Sequence, residues 1–294
     1  MLNKNKIIVT GGAGFVGTNL IKLLLYKTKY KIISIDNYSS GKKTNHIKNS
    51  RLKYIKGKTV NISKLIKNPN EIKSLFHFGE FSRIYQSFLK MNECIDSNSV
   101  GSNAVFNFCL KNKIKLIYSA TSASLGNQGN DKNLSPYAFT KSKNLELIEN
   151  LKKWFNFKYE VIYFYNVYGP HQICKGQMST VIGIFEDHYK RKKPLPVVRP
   201  GSQSRRFTHI NDTINICYLA WKKNLCRHYS ISNSKSYSLL EVAKMFKSKI
   251  KYLPKRPGER YASALMNKNL SNKIYKHFGK INLKSYINEF IINN

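Results

Sequence analysis

The stretch KIIVTGGAGFVG, residues 6–17, decides the fold. Its β-branched run at residues 6–10 predicts a strand, and the apolar spacing of residues 15–26 predicts a helix. The glycines between them, Gly11, Gly12, Gly14 and Gly17, fit both G-x-G-x-x-G and G-x-x-G-x-x-G. Such a turn lets the backbone approach a pyrophosphate, and the helix N-terminus supplies N–H donors and a positive dipole. Three glycines alone are a weak signal, because an ordinary tight turn also contains them.

An acidic residue strengthens the prediction of a dinucleotide site. The apolar run at residues 31–35 predicts a second strand that ends at Asp36. This is about 20 residues beyond the glycines, where a carboxylate can accept hydrogen bonds from the adenosine ribose. Because Asp36 would repel the 2′-phosphate of NADP, we expect NAD as the cofactor. Lys42 and Lys43 lie close by and could relieve that repulsion.

Strand and helix patterns alternate along most of the chain. Strand-like runs recur at residues 52–55, 74–78, 115–118 and 159–164, and helical patterns at residues 98–111 and 136–155. After residue 170 the helices are short, at residues 181–192, 212–223 and 239–247. This pattern predicts an α/β fold, a Rossmann-type doubly wound parallel sheet with a smaller C-terminal α/β substrate lobe. We place the NAD-binding Rossmann domain at residues 1–168 and the substrate-binding lobe at residues 169–294, with the chain free to cross between them.

A candidate catalytic pair is formed by Tyr137 and Lys141 in the segment SPYAFTK. Positions i and i+4 share one face of a helix. A lysine ammonium beside a phenol favours the phenolate, and such a tyrosine can act as a general base near neutral pH. The spacing alone could belong to a solvated helix face. It follows a strand and a loop of small hydroxyl residues, however, and parallel sheets bind ligands at that end.

Seven segments together resemble a known family. They are TGGAGFVG (10–17), DNYSSGK (36–42), FHFGE (76–80), SPYAFTK (135–141), YNVYGP (165–170), the segment 205–212, and RPGE (256–259). The resemblance is to the NAD-dependent epimerase/dehydratase branch of the extended short-chain dehydrogenase/reductases, of which UDP-galactose 4-epimerase is the best-known member. It runs from residue 6 to about residue 268, nearly the whole chain.

The resemblance implies three groups of site residues and no metal. The catalytic group is Thr121, with Ser122 as its alternative, Tyr137 and Lys141. The substrate group, which would grip the diphosphate of a sugar nucleotide, is Asn166, Arg205 and Arg256. Without the resemblance, those three would be interpreted as a turn residue and ordinary surface charges. The cofactor group is the largest: Gly11, Gly14, Phe15, Val16, Gly17, Asp36, Asn37, Phe78, Gly79, Asn98, Tyr137, Lys141 and Tyr165.

Four segments depart from the family pattern. The usual G-D-I reads Gly57-Lys58-Thr59, R-D-F reads Arg205-Arg206-Phe207, and Leu125 replaces a tyrosine. The usual H-L-A-A reads His77-Phe78-Gly79-Glu80, so a carboxylate lies near the expected active site. Glu80 either forms an ion pair with a nearby lysine or Arg83, or serves as an acid in the sugar pocket. These changes bear on sugar specificity more than on the chemistry, and an inactive relative is an open alternative.

Composition limits the location and partners. The chain has 294 residues, of which 41% are apolar, and no run of apolar residues long enough to span a bilayer. With five irregularly spaced cysteines and no signal-peptide pattern, we predict a cytoplasmic protein with reduced thiols. The net charge of +36 would attract polyanions. Since it is spread along a chain rich in Lys, Asn and Ile, codon drift explains it better than specific nucleic-acid binding.

The predicted function is that of a nucleotide-sugar epimerase with tightly bound NAD, which acts on a UDP-hexose at C4 as a homodimer. The tripeptide Thr121-Ser122-Ala123 favours epimerisation. Dehydratase relatives carry an acidic pair after the threonine, and decarboxylase relatives a glutamate at position 123. The alternatives are a dehydratase, decarboxylase or reductase on the same scaffold. Less favoured are a non-catalytic NAD-binding protein and a nucleic-acid binder.

Overall fold

The computed structural model describes residues 4–258 and 274–294. Its strands are β1 Lys6–Thr10, β2 Lys31–Asp36, β3 Leu52–Lys56, β4 Ile72–His77, β5 Lys115–Thr121, β6 Tyr159–Phe164, β7 Val167–Tyr168, β8 Leu195–Val198, β9 Ser204–Arg206, β10 Thr208–His209, β11 His228–Ser232, β12 Ser236–Ser238, β13 Ile250–Leu253 and β14 Ile274–Phe278. Its α-helices are α1 Phe15–Lys27, α2 Ile62–Leu65, α3 Ile84–Leu89, α4 Met91–Ile95, α5 Ser102–Lys111, α6 Pro136–Phe155, α7 Val181–Lys190, α8 Ile210–Lys223, α9 Leu239–Met245 and α10 Leu283–Ile292.

Eight parallel strands form the central sheet, in the order β3-β2-β1-β4-β5-β6-β11-β14. Both faces of this sheet are covered. On one face, Leu20 of α1 and Trp221 of α8 are buried against β1 and β4. On the other, Phe106 of α5 and Ile148 of α6 are buried against β5. The strand order changes direction at β1, so the predicted Rossmann-type doubly wound sheet is confirmed.

The chain returns to this sheet after residue 168. Helix α8 packs on it, and β11 and β14 extend it beyond β6. A separate apolar cluster forms between α7, α9, α10 and β8, with Phe185, Val242 and Ile287 at its centre. Residues after 168 thus contribute both to the large sheet and to this separate cluster.

Helix α6 has clear local signals at both ends. The Ser135 hydroxyl accepts a hydrogen bond from the Ala138 N–H (3.1 Å), and Pro136 occupies the first turn. Asn156 ends the helix in the left-handed conformation (φ 52°). These signals match the predicted helix at residues 136–155, which places Tyr137 and Lys141 in its first two turns.

The helix predicted at residues 98–111 is interrupted near its start. Residues Asp96–Gly101 form a π-helical turn that runs into α5. The Asn98 carbonyl accepts a hydrogen bond from the Asn144 side-chain amide (2.6 Å). A side chain from α6 therefore competes for an acceptor of the helical ladder, and sequence periodicity does not reveal such a competitor. None of the helices in the part of the chain described here is long and apolar enough to cross a membrane.

Candidate active site

A cavity of about 430 Å³ opens over the carboxyl ends of β1, β2, β4 and β5. In open parallel sheets this is where ligands bind, next to the strand at which the order reverses. Most of the residues predicted from the sequence line it together: Gly11, Gly14, Phe15, Val16, Gly17, Asp36, Asn37, Phe78, Gly79, Thr121, Ser122, Tyr137, Lys141, Asn166 and Arg205.

The glycine turn forms a close backbone cradle at one end of the cavity. Gly11 has a φ of +68°, and a Cβ atom there would lie 2.8 Å from the Phe78 carbonyl oxygen. A Cβ atom at Gly17 would lie 2.2 Å from the Gly11 carbonyl oxygen. Since side chains are excluded at both positions, the backbone and the N-terminus of α1 are open to a ligand. This arrangement fits the pyrophosphate of a dinucleotide.

Asp36 stands at the end of β2 on the same side. Its carboxylate accepts hydrogen bonds from the backbone N–H groups of Ala13 (2.9 Å) and Tyr38 (2.7 Å). Burial raises the pKa of Asp36, and these two hydrogen bonds oppose the rise. The carboxylate is thus fixed in the cavity wall, and each oxygen retains a lone pair for the hydroxyls of a ribose.

Tyr137, Lys141 and Thr121 come together at the other end of the cavity. Tyr137 and Lys141 are buried on one face of α6, and Thr121 is the last residue of β5. The Thr121 hydroxyl accepts a hydrogen bond from the Ala123 N–H (3.2 Å) and keeps its own proton for a donor role. All three residues line this end of the cavity, the catalytic end, and a hydroxyl, a phenol and an ammonium group there suit general acid–base chemistry.

Glu80 lies in this end of the cavity as a buried ion pair with Lys141. The side chains are 2% and 4% exposed, respectively. Lys141 also donates to the Ser119 carbonyl oxygen (2.5 Å). The Glu80 Oε1 atom accepts hydrogen bonds from three side chains, those of Ser102 (2.8 Å), Tyr118 (3.1 Å) and Asn144 (3.3 Å). The first of the two interpretations of Glu80, an ion pair with a nearby lysine, is the one that the structure shows.

A chain of hydrogen bonds connects Glu80 to the glycine turn. The Thr10 hydroxyl accepts from the N–H groups of Phe78 (3.1 Å) and Gly79 (3.0 Å), so its own proton must point to His77 Nδ1 at 2.7 Å. His77 Nε2–H then donates to the Ser102 hydroxyl (3.0 Å), which donates to Glu80. Burial lowers the pKa of His77 to about 4, so a neutral ring with this tautomer fits the chain.

Three residues predicted from the family pattern do not line the cavity. Asn98 is fully buried. Its side-chain oxygen accepts a hydrogen bond from the Phe81 N–H (2.7 Å), and its side-chain nitrogen donates one to the Phe81 carbonyl (3.0 Å), so it fixes the backbone of the residue after Glu80. Tyr165 is buried in the core. The exposed Arg256 stacks its guanidinium over the Tyr85 ring at 5.2 Å, next to the cavity-lining Pro257. Glu259 lies outside the described residues.

Two substrate-group residues have additional contacts within the protein. The Asn166 side-chain amide donates a hydrogen bond to the Arg206 carbonyl (3.0 Å). Its backbone has a positive φ of 34°, which is typical of a turn residue. Arg205 donates to the Ser204 carbonyl (2.9 Å). Both still border the cavity.

Several residues at the catalytic end were not predicted as site residues. Arg83 lines the cavity and donates to the Met178 carbonyl (2.9 Å), and burial lowers the pKa of its guanidinium. Tyr118, Ser102 and Asn144 hold Glu80. Tyr118 lies within a strand, and Ser102 and Asn144 lie on helices, at buried positions. A polar residue on an apolar face is the available signal, and it does not show which partner it meets.

Comparisons with known proteins identify a family that the chain matches. Residues 7–232 match the family described as the NAD dependent epimerase/dehydratase family. The chain is 28% identical, over 82% of its length and 80% of the relative, to an ADP-L-glycero-D-manno-heptose-6-epimerase of Brachyspira hyodysenteriae. It is 26% identical, over 83% of its length and 82% of the relative, to a putative UDP-glucose 4-epimerase of Methanocaldococcus jannaschii.

Solved structures share the whole fold. One is a UDP-glucuronic acid 4-epimerase from Bacillus cereus in complex with UDP-glucuronic acid and NAD. It superposes with a TM-score of 0.84 at 24% identity, covering 98% of this chain and 99% of that one. The family match spans most of the chain, and the cradle at Gly11 and Gly17 fits the pyrophosphate of the cofactor. The chain therefore belongs to the NAD-dependent epimerase/dehydratase family, and NAD is its cofactor.

Proposed function

We propose that this protein is a UDP-hexose 4-epimerase that keeps NAD bound throughout the reaction. NAD supplies reversible hydride chemistry. Gly11, Gly14 and the N-terminus of α1 would bind its pyrophosphate, and Asp36 its adenosine ribose. Arg205, with Asn166, would hold the diphosphate of the substrate and so fix the sugar against the catalytic end.

The catalytic end needs only one group that transfers a proton, in both directions. Tyr137 removes the proton from the C4 hydroxyl of the sugar and later returns it to the same oxygen. Thr121 donates a hydrogen bond to that oxygen, which aligns it with Tyr137. Lys141 keeps one N–H after its bonds to Glu80 and Ser119, and this N–H is available to the nicotinamide ribose. With hydride removal and return at C4 supplied by NAD, rotation of the sugar within the cavity in between would invert this carbon.

The observation that supports this reaction most directly is the shortage of usable acids. Among the described residues that line the cavity, the carboxylates are Asp36 and Glu80. Asp36 is held at the adenosine end by two backbone N–H groups, and Glu80 is held by Lys141 and three further side chains. Ala123, where a decarboxylase relative carries an acid, is buried beside Tyr137. Dehydration needs an acid to protonate the leaving hydroxyl, and neither carboxylate is placed for that task.

The names of the relatives support epimerisation as the class of reaction. Both curated relatives are named epimerases, although of different sugars and different nucleotides. The choice of UDP and of C4 rests on the resemblance to UDP-galactose 4-epimerase. We also expect a homodimer in the cytoplasm, and light scattering on the purified protein tests the oligomeric state.

The test is to incubate the purified protein with a panel of UDP-, GDP- and ADP-linked sugars and to follow the products by NMR. We expect a C4 epimer of a UDP-hexose, and no product with Tyr137→Phe under the same conditions. Formation of a 4-keto-6-deoxy sugar would contradict the proposal and identify the reaction as dehydration. Release of carbon dioxide from a uronic acid would identify it as decarboxylation. Mass spectrometry of nucleotides released from the denatured protein identifies the base independently.

A further inference from the structure

The catalytic lysine of this chain carries its own counterion. Lys141 and Glu80 are both almost fully buried and paired, and the ammonium also lies over the Tyr118 ring at 4.7 Å. The family pattern has an alanine at position 80. A chain with that alanine would have no carboxylate there to neutralise the charge of the lysine at position 141. The pair costs desolvation, and losing one partner would leave an uncompensated buried charge.

Glu80 is held in place from several directions. Its Oε1 atom accepts hydrogen bonds from β5 (Tyr118), α5 (Ser102) and α6 (Asn144). Ser102 is oriented in turn by His77 and, through it, by Thr10 at the end of β1. The carboxylate is therefore fixed from three elements, and together with the Ser119 carbonyl it holds the ammonium of Lys141 in place.

The pair lies at the end of the cavity that the nicotinamide half of the cofactor would reach. The carboxyl ends of β2, β1, β4 and β5 follow one another along the cavity. If Asp36 on β2 holds the adenosine ribose and the glycine turn after β1 holds the pyrophosphate, the remaining half of NAD would extend towards β4 and β5. Glu80 follows β4, and Lys141 borders the same end of the cavity.

We propose that Glu80 is a positioning residue that cancels the charge of Lys141 and thereby keeps bound NAD in its oxidised form. The oxidised nicotinamide ring carries one positive charge, and the reduced ring, which has accepted a hydride, carries none. An uncompensated ammonium beside the ring disfavours the oxidised form by Coulomb repulsion. The negative charge of Glu80 offsets that repulsion, and the third N–H of Lys141 can still donate a hydrogen bond to the nicotinamide ribose.

The test compares the dissociation constants of NAD and NADH for the native protein and for Glu80→Gln, without any substrate. Removal of the negative charge should shift the ratio of the two constants about tenfold in favour of NADH. For a two-electron couple a tenfold shift is equivalent to about 30 mV in the reduction potential of the bound cofactor. Glu80→Ala carries the residue of the family pattern, so it serves as the second variant if Glu80→Gln does not fold.

Three controls separate charge from packing. Glu80→Asp keeps the charge, and Ser102→Ala removes one hydrogen bond to the carboxylate, so both should leave the ratio unchanged. The double variant Glu80→Gln/Lys141→Met removes both charges and should restore the native ratio. A purely structural role of Glu80 predicts weaker binding of both cofactors with no change in their ratio.

The inference rests on NAD binding at this site and is independent of the sugar. A native ratio in both Glu80→Gln and Glu80→Ala would overturn it and leave the proposed epimerase function intact. The same holds if Glu80→Asp shifted the ratio as far as Glu80→Gln. A protein that bound neither NAD nor NADH would overturn the cofactor site and this inference together.

Discussion

The two ends of the cavity are built in different ways. At the glycine turn the ligand surface is backbone, contributed by consecutive residues between β1 and α1. At the catalytic end it consists of side chains from separate parts of the chain. Glu80, Thr121 and Lys141 come from three different segments, and Glu80 and Lys141 meet 61 residues apart. The first end depends on the absence of side chains, and the second on the mutual neutralisation of buried charges.

This difference predicts different failures. A substitution at the glycine turn should act through steric overlap and reduce stability and cofactor affinity together. A substitution at the catalytic end should act through charge and proton position, and it should alter rates, pH dependence or redox preference while the fold persists. His77 connects the two ends, so it should show both kinds of effect.

The largest expected effect is on turnover in Tyr137→Phe. The variant lacks the phenol that transfers the proton, and such groups contribute about 10²–10⁴-fold to rate. The fold and NAD binding should persist, because among residues 4–258 and 274–294 no hydrogen bond from the Tyr137 hydroxyl supports the packing around Ala138 and Phe81. Steady-state kinetics with NAD titration as the folding control checks this. Activity close to that of the native protein would remove Tyr137 from the mechanism.

The next effect is a dependence of stability on pH that originates in His77. Its pKa is about 4 in the folded protein and 6.5 when unfolded, so the unfolded chain binds more protons between these values. The contribution to stability is complete above pH 6.5 and is lost as the pH falls towards 4, in total roughly 3 kcal/mol. Urea unfolding at several pH values should give a shallower dependence for His77→Gln. The same substitution at the exposed His46 is the matched control, and an equal flattening there would contradict the assignment.

At the glycine turn, Gly17→Ala should lower the free energy of unfolding by about 1–3 kcal/mol, the usual cost of overpacking. The added Cβ would lie 2.2 Å from a backbone oxygen, which cannot move aside as a side chain can. Gly14→Ala is the matched control, because its Cβ would meet the same oxygen at 3.2 Å. Denaturant unfolding of both variants measures the difference. Equal losses of unfolding free energy in the two variants would mean that the close approach of the Gly11 oxygen does not determine the cost of a side chain at position 17.

The smallest effect is expected at Asp36. Asp36→Asn should weaken NAD binding about tenfold, the order of one hydrogen bond to a charged group, and narrow the preference for NAD over NADP. The exposed Asp96, which lies in the π-helical turn, provides the control Asp96→Asn. Calorimetric titration with both cofactors measures the ratio. Tighter NADP than NAD binding by the native protein would show that Lys42 and Lys43 outweigh Asp36.

Much of the fold was predictable because it is encoded locally. The strand at residues 6–10, the glycine turn and Asp36 follow one another at the spacing of a dinucleotide-binding unit, and the α6 limits are marked by Ser135 and Asn156. The match of residues 10–17 and 135–141 to a family pattern then located both ends of the cavity. Strand limits differed by a few residues at most, as at Lys115–Thr121, where the predicted run stopped at residue 118.

The sequence by itself determined the α/β class, the cofactor cradle and the presence of the Tyr137–Lys141 pair, since each depends on residues close together in the chain. Only the tertiary structure decided what Glu80 does. Its partners come from β5, α5 and α6. Because Glu80 is buried, it pairs with Lys141, whereas an exposed glutamate could pair with any of many surface lysines. The return of β11 and β14 to the large sheet was likewise undecided by local pattern. Pairing between distant strands and charges depends on how the whole chain packs, and periodicity within one segment does not record it.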